Sequence, residues 1–234
     1  EMCIRDSANS VAIQADGKIV VAGDSNNGSN FDLALARFNT DGSLDTSFDG
    51  DGKLSTPVGA SNEQANSIAI QTDGRIVVAG QANNGSNFDF ALVRYNANGS
   101  LDRLADGTGK VTTAIVAGSD LATGMVVQAD GKIVLAGYAF TGSNNDFAVA
   151  RYNADGTLDT SFDNDGTLTT PIGSGNDQAN SVAIQSDGKI VVAGFSFNGS
   201  NNDFALARYN IDGSLDNSFD TDGCLLYTSD AADE

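Results

Sequence analysis

The chain is 234 residues long, carries 31 acidic against 12 basic side chains for a formal net charge of −19, and contains no His, no Trp and only two Cys. Such a surplus of carboxylates argues against binding the phosphate backbone of a nucleic acid, which needs clustered Lys and Arg, and disfavours anionic membrane surfaces. No stretch approaches the roughly 18 consecutive apolar residues of a membrane-spanning helix, and the apolar residues arrive in organised runs, unlike those of a disordered acidic tail.

In chain order, the first seven residues are Glu1-Met2-Cys3-Ile4-Arg5-Asp6-Ser7, and the last natural-looking segment gives way to Cys224-Leu225-Leu226-Tyr227-Thr228-Ser229. With suitable codons, these two strings are encoded by DNA sequences that are reverse complements over most of their length. Together with residues 230–234 they resemble the translated inverted ends of a transposase-type sequencing adapter, so 1–7 and 224–234 are expected to be adapter-derived scars and are set aside. Both cysteines fall inside them, which leaves 8–223 without thiol or disulfide chemistry. The natural protein is then cut at both ends, and the absence of an export signal says nothing about where its parent resides.

Between the scars, one pattern recurs four times at a constant interval of 57 residues. Gln14, Gln71, Gln128 and Gln185 each stand two residues before an Asp-Gly pair, at Asp16-Gly17, Asp73-Gly74, Asp130-Gly131 and Asp187-Gly188. Arg37, Arg94, Arg151 and Arg208 keep the same spacing. A fixed period of this length is one supersecondary unit repeated, each copy burying its apolar faces on its neighbours. The units are about 8–64, 65–121, 122–178 and 179–223, a single repeat region.

Within the first unit, 10–14 and 19–23 are apolar runs flanking Asp16-Gly17, which predicts a β-hairpin with a type I′ turn. A polar Asn/Gly loop follows at 26–30, a third strand at 31–38, a long connection over 39–52 and a fourth strand at 53–58. Nothing has a 3.6-residue period. The second and third strands are apolar on both faces, as in a sheet sandwiched between two others. The expected fold is all-β: a β-propeller, or an open propeller arc, built from four 57-residue, four-stranded antiparallel blades. A fourth strand is expected after Gly223, a place that Leu225, Leu226 and Tyr227 could fill.

The text of the last unit also resembles a known family. Ser181-Val182-Ala183-Ile184-Gln185-Ser186-Asp187-Gly188-Lys189-Ile190-Val191-Val192-Ala193-Gly194, then Asp203-Phe204-Ala205-Leu206-Ala207-Arg208-Tyr209-Asn210, then Asp212-Gly213-Ser214-Leu215-Asp216 with Phe219, is similar to the delta-60 repeat. The resemblance covers all four units and implies a bacterial tandem-repeat β-propeller, often part of large secreted or surface proteins, with no defined molecular function and no catalytic or ligand residues to carry over. The second unit departs from it: Arg103-Leu104-Ala105 stands where Thr46-Ser47-Phe48 and Thr160-Ser161-Phe162 stand elsewhere, so its long loop is expected to lack an aromatic anchor.

The recurrent Arg ends an otherwise apolar strand, five residues after a recurrent Asp (Asp32, Asp89, Asp146, Asp203). It reads either as a ring of guanidinium groups facing a shared ligand or as a structural residue held by carboxylates of the following turn, Asp41 or Asp45. Equal recurrence favours the structural reading, because a buried charge needs a partner and a ligand site is usually asymmetric. The loops carrying Asp45, Asp49 and Asp51, and Asp159, Asp163 and Asp165, alternate oxygen ligands before a Gly as calcium loops do, but lack the closing Glu. Calcium is the one cofactor they suggest; the embedded Phe suggests instead a plug that anchors the loop. Asn-Gly-Ser triplets at Asn27, Asn84, Asn98 and Asn198 match a glycosylation acceptor pattern but read as turns, on loops expected to gather on one rim between strands 2 and 3. Without His or natural Cys the usual nucleophile–base pairs are missing. Every carboxylate pair that could serve glycosidic chemistry recurs by repetition, and the irregular stretch 103–108 holds no acid–base pair.

No catalytic or cofactor-binding residue therefore emerges. The expected function is a non-enzymatic structural or protein-interaction segment of a larger bacterial protein, extracellular or on the cell envelope, with a protein or glycan partner and no nucleic acid. Two alternatives stay open: a calcium-dependent carbohydrate-binding or adhesion module, and a fragment of a propeller enzyme whose active site lies elsewhere.

Overall fold

The computed structural model describes residues 6–104 and 107–227. Among them every regular element is a β-strand, and the sixteen strands form four four-stranded antiparallel sheets, each a plain meander. The first blade is β1 (Asp6–Ile13), β2 (Ile19–Asn26), β3 (Phe31–Phe38) and β4 (Lys53–Thr56). The second is β5 (Glu63–Ile70), β6 (Ile76–Asn83), β7 (Phe88–Tyr95) and β8 (Lys110–Thr113). The third is β9 (Asp120–Val127), β10 (Ile133–Phe140), β11 (Asn145–Tyr152) and β12 (Thr167–Thr170). The fourth is β13 (Asp177–Ile184), β14 (Ile190–Phe197), β15 (Asn202–Tyr209) and β16 (Cys224–Tyr227).

The chain divides into two compact units, one of residues 1–114 with 154–157, the other of 115–153 with 158–234. Each holds two blades packed face to face. In the first unit Val20, Ala22, Leu33, Leu35 and Phe48 of the first blade meet Ala65, Ile68, Ile76, Val78, Val93 and Tyr95 of the second, all buried. In the second unit Val134, Ala136, Phe147, Val149 and Phe162 of the third blade meet Ala179, Ile190, Val192, Ala205, Ala207 and Tyr209 of the fourth. A strand alternates its side chains between faces. Within each unit the leading blade buries the face that carries Leu33 and Leu35, or Phe147 and Val149, and the trailing blade buries the opposite face, that of Ile76 and Val78, or Ile190 and Val192. Each face also carries a hydroxyl pair, Tyr95 Oη donating to Thr56 Oγ1 at 2.8 Å and Tyr209 Oη to Thr170 Oγ1 at 2.9 Å.

Four details differ from the sequence expectation. The Asp-Gly hairpins are not type I′ turns. Gly17 N–H donates to Gln14 O and Gln14 N–H to Lys18 O, and only Gly17, not Asp16, has positive φ (83°). This is a type I turn closed by a left-handed Gly, and Asp16 serves by accepting Lys18 N–H on Oδ1 at 3.1 Å. The first hairpin arm also begins earlier than residue 10, with Asp6 and Ser7 paired to Ser25 and Asp24. The fourth strand ends at Thr56, ahead of Pro57, which has no N–H for the ladder. Lastly, Asn98 lies in the turn after β7, not between strands 2 and 3 with Asn27, Asn84 and Asn198. As for the segments set aside, Asp6 and Ser7 belong to β1, and Cys224–Tyr227 pairs with β15 as the fourth strand of its blade.

In the second strand of each blade one Gly is dictated by contact. Where β5 shifts register between Ala65 and Ser67, its backbone crowds β6, and a Cβ on Gly80 would lie 1.9 Å from Gln64 O. Gly23, Gly137 and Gly194 meet the same obstacle. Replacing Gly80 by Ala must push two paired strands apart, so G80A should lose about 3 kcal/mol or more, the upper end of ordinary overpacking. A denaturant melt checks this, and a midpoint equal to that of the parent chain would refute the account of the bulge.

Candidate functional site

The most polar buried constellation lies at the end of the third strand, and the long loop creates it. The main chain of Arg37 holds both ends of that loop: its C=O accepts Asp45 N–H and its N–H donates to Gly52 O, each at 2.9 Å. The side chain is thereby aimed along the loop. Its Nε donates to Asp45 Oδ2 at 2.7 Å and Nη2 to Ser47 Oγ at 3.3 Å, while the guanidinium carbon stands 4.6 Å above the Phe48 ring. Nη1 donates to the carbonyl of Ala97, which belongs to the next blade. Lys18, from the hairpin turn, reaches the same Asp45 Oδ2 at 2.9 Å.

The arrangement is repeated. Arg94 donates to Asp102 at 2.6 Å, with Arg75 at 3.1 Å in the Lys18 place and the carbonyl of Ala154 as acceptor for Nη1. Arg151 donates to Asp159 at 2.7 Å, with Lys132 at 2.8 Å and the carbonyl of Ile211. Arg208 donates to Asp216 at 2.7 Å, with Lys189 at 2.6 Å. Of the two partners the sequence offered, Asp45 meets the guanidinium, while Asp41 accepts Ser43 N–H and Oγ–H in the neighbouring turn. Each guanidinium thus cross-links its own loop to the blade and, through Nη1 of Arg37, Arg94 and Arg151, that blade to the following turn.

Electrostatics agree with the geometry. The Ser47 hydroxyl and then the Lys18 ammonium hold the Asp45 carboxyl well below the usual range, and Lys189 and then Ser218 do the same for Asp216. At Asp159 burial works the other way, but Lys132 and Ser161 outweigh it. The basic residue after each Asp-Gly (Lys18, Arg75, Lys132, Lys189) was not singled out in the sequence. Its signal was there all the same, because it keeps the 57-residue interval of the arginines.

The loops are anchored further across the joint, twice over in the first and third blades. Phe48 is buried against the next blade, where a Cβ on Gly99 would come within 3.1 Å of its ring, and Phe162 sits against Gly213 in the same way. In the second loop, Ala105 stands at the Phe position and lies outside the described residues, but the anchor is not missing: Leu104, one residue earlier, is buried in its place and fills the space over Gly156. Asp49 and Asp163 take φ of 49° and 48° and donate their N–H to Asn98 O and Asp212 O of the next blade. Left-handed backbone is tolerated by Asp better than by most side chains.

The remaining candidates have plain assignments. Asp45 and Asp159 are committed to Arg and Lys, and Asp51 and Asp165 accept Lys53 N–H and Thr167 N–H within their turns. Burial, and then the carboxylates of Asp165 and Asp212, push the Asp163 pKa up. Among the described residues no three acidic side chains are grouped so that they could hold a metal ion. Asp32 lies on the opposite face of β3 from Arg37, where it accepts Asn27 Nδ2 at 3.0 Å; Asp89 and Asp203 hold Asn84 and Asn198, and Thr141 takes that place at Asp146. In the second unit an open hollow of about 490 Å³ is lined by Lys132, Arg151, Ser161, Lys189, Asn210 and Asp212. Its cations already face Asp159 and Asp216.

Against known proteins, the family model "Domain of unknown function (DUF5122) beta-propeller" matches residues 14–48, 71–103, 128–162 and 185–219, more than half of the chain. The chain belongs to this family. The matched segments run from each recurrent Gln through the Arg strand into the long loop, as far as Asp102 and Arg103 in the second unit, so they contain both ends of every Arg–Asp cross-link. A comparison with curated proteins finds no match. Among solved structures, this family member is similar to a protein of unknown function from Bacteroides caccae, at 15% identity and a TM-score of 0.50 over 90% of this chain and 58% of that one. It is similar also to the virginiamycin B lyase of Staphylococcus aureus (12%, 0.47, 90% and 58%) and a gluconolactonase of Xanthomonas campestris (14%, 0.44, 88% and 60%). Identities this low bear on the fold alone, and the chain spans about three-fifths of the length of these structures.

Two outcomes are expected. R151K keeps the charge but cannot reach Asp159, Ser161 and the Ile211 carbonyl together, so it should cost about 1.5–3 kcal/mol, the range for hydrogen bonds to charged groups; chemical denaturation measures it. The depressed carboxyls bind protons more tightly in the unfolded chain, near the ordinary value of 3.8, than in the folded one. Their contribution is therefore complete above about pH 4 and is lost as pH falls below it. D159N should flatten this acid limb in a pH series of melts, and an unchanged acid limb would count against the cross-link.

Proposed function

We propose that this segment is a non-enzymatic structural and interaction module of a larger bacterial protein, exported or held at the cell envelope, that presents a polar rim to a protein or glycan. The observation that carries this is the use of the recurrent polar side chains: Arg, Asp, Lys and Ser at the third-strand end, and Asp with Asn at the other, are bonded to the chain itself in repeat after repeat. The tips of the strand 2–3 loops, at Ser29, Ser86, Ser143 and Ser200, recur and stay exposed.

Within each unit the two loop tips share one rim. The connection between the first two blades threads between their loops, with Asn30 Nδ2 donating to Ser61 O and Asn83 N–H to Asn62 O. Asn144 and Phe197 grip Gly175 and Asn176 likewise. Such a rim offers amide, hydroxyl and main-chain groups of the kind that meets extended polar ligands. The enzymatic alternative would need an acid–base pair that one blade has and the others lack.

The test is direct. The fragment should bind bacterial surface glycans or envelope proteins on an array, and replacing Ser29, Ser86, Ser143 and Ser200 together by Lys should abolish binding while leaving the melt unchanged. Incubation with quinupristin or gluconolactone should give no conversion, and turnover of either would overturn the reading. Melting in calcium and in chelator should coincide; a rise with calcium would revive a metal-dependent adhesion role.

A further inference from the structure

The outer faces of the first and fourth blades carry the two halves of the joint found inside each unit. Toward its partner within the unit, the leading blade presents the face that carries Leu33 and Leu35 in the first blade and Phe147 and Val149 in the third, all buried. The same face of the fourth blade carries Phe204 and Leu206, and Phe204 is 69% exposed where Phe147 is 0%. Phe219, equivalent to the fully buried Phe48 and Phe162, is only partly covered, and the Arg208 side chain is 19% exposed against 2% for Arg151. Toward the preceding blade, the second blade buries Ile68, whereas its counterpart in the first blade, Val11, is 61% exposed, and Ile13 beside it is likewise bare. That face contains a hollow of about 410 Å³ with Ala8, Val21, Ala34 and Ala36 in its lining.

We infer that a second copy of this chain docks head to tail on these faces, the fourth blade of one molecule stacking on the first blade of the next. This goes beyond the functional reading and does not depend on it. The fit is set by the period, since equivalent positions on the two faces already meet inside each unit. Arg208 keeps its Asp216 bond and its place 4.6 Å over Phe219, so its guanidinium is aimed as Arg37 is. The acceptor equivalent to Ala97 O is Thr40 O. Asp220 holds φ of 46°, the setting in which Asp49 and Asp163 give their N–H to the next blade, and its acceptor would be Asp41 O. Phe219 has a seat at Gly42, over which nothing lies within 4 Å, whereas Gly99 and Gly213 have a ring there. One position departs from the repeat: Tyr227 stands where Thr56 pairs with Tyr95, and it faces Phe38, so two rings replace the hydroxyl pair. The contact is heterologous, with different surfaces on the two partners, and it leaves a free face at each end until a ring closes.

Sedimentation velocity over a concentration series, at moderate salt to screen the negative charge, decides it. The 24.0 kDa chain should shift to dimers and larger species as concentration rises. Phe204→Lys and Val11→Lys, both at exposed positions that leave the fold intact by circular dichroism, should each sediment as monomers. An equimolar mixture of the two should form a dimer and stop there, because one intact face of each kind remains. A parent chain that stays monomeric throughout, association that survives both substitutions, or a mixture that stays monomeric would overturn the inference.

Discussion

The structure depends on one joint, the stacking of one blade's face on the next with an arginine driven through its edge. A sheet of three 8-residue strands and one of 4 residues cannot bury both of its faces alone. In this chain both faces are apolar, so a blade needs a neighbour, and the joint inside each unit is where the burial happens. The arginine adds what apolar stacking lacks, which is register. Sliding one blade on the other would cost Ala and Val contacts little, but it would take Arg37 off the Ala97 carbonyl, Phe48 off Gly99 and the Asp49 N–H off Asn98 O at once.

The same joint explains why the chain is so acidic without being strained by its charge. Asp45 and Asp159 are largely buried yet fully ionised, because each sits between an Arg and a Lys and accepts a serine hydroxyl. A lone buried carboxylate would be expensive; one with two cations and a serine is not. Much of the remaining negative charge lies in turns, where Asp41, Asp155 and Asp212 accept hydrogen bonds from the residue two positions on. These carboxylates are part of the turn chemistry rather than a field aimed at a ligand.

How much of this the sequence disclosed can be argued residue by residue. The interval of 57 and the absence of a helical period were enough for the all-β repeat and its four-stranded blades, since periodicity is a property of the text itself. The turn type was not legible, because Asp-Gly suits both a type I′ turn and a type I turn closed by Gly, and the choice rests on a backbone twist the letters do not record. The text around Arg37 offers two carboxylate partners, but the Ala97 carbonyl is invisible there, because main-chain acceptors leave no mark in sequence. Leu104 was hidden for a different reason. It occupies the anchor site from one position earlier, a substitution in space that a residue-by-residue alignment scores as a loss. The Asn-Gly-Ser triplet does not by itself place Asn98, but the spacing from Arg94 puts it in the turn after the strand.

A scaffold made of equivalent joints has a consequence for where activity can arise. Any side chain required by the joint is required in every blade, so it cannot be altered in one blade without weakening that blade's hold on the next. Positions free to acquire a function are those the joint does not touch, and the exposed loop tips at Ser29, Ser86, Ser143 and Ser200 are among them. The second blade shows the other route: its long loop lost Ser and Phe, yet Leu104 restored the packing while Asp102 kept both basic partners. The cross-link was retained where the aromatic anchor was exchanged, which ranks the ion pair with its main-chain bonds above the ring as the element the fold does not give up.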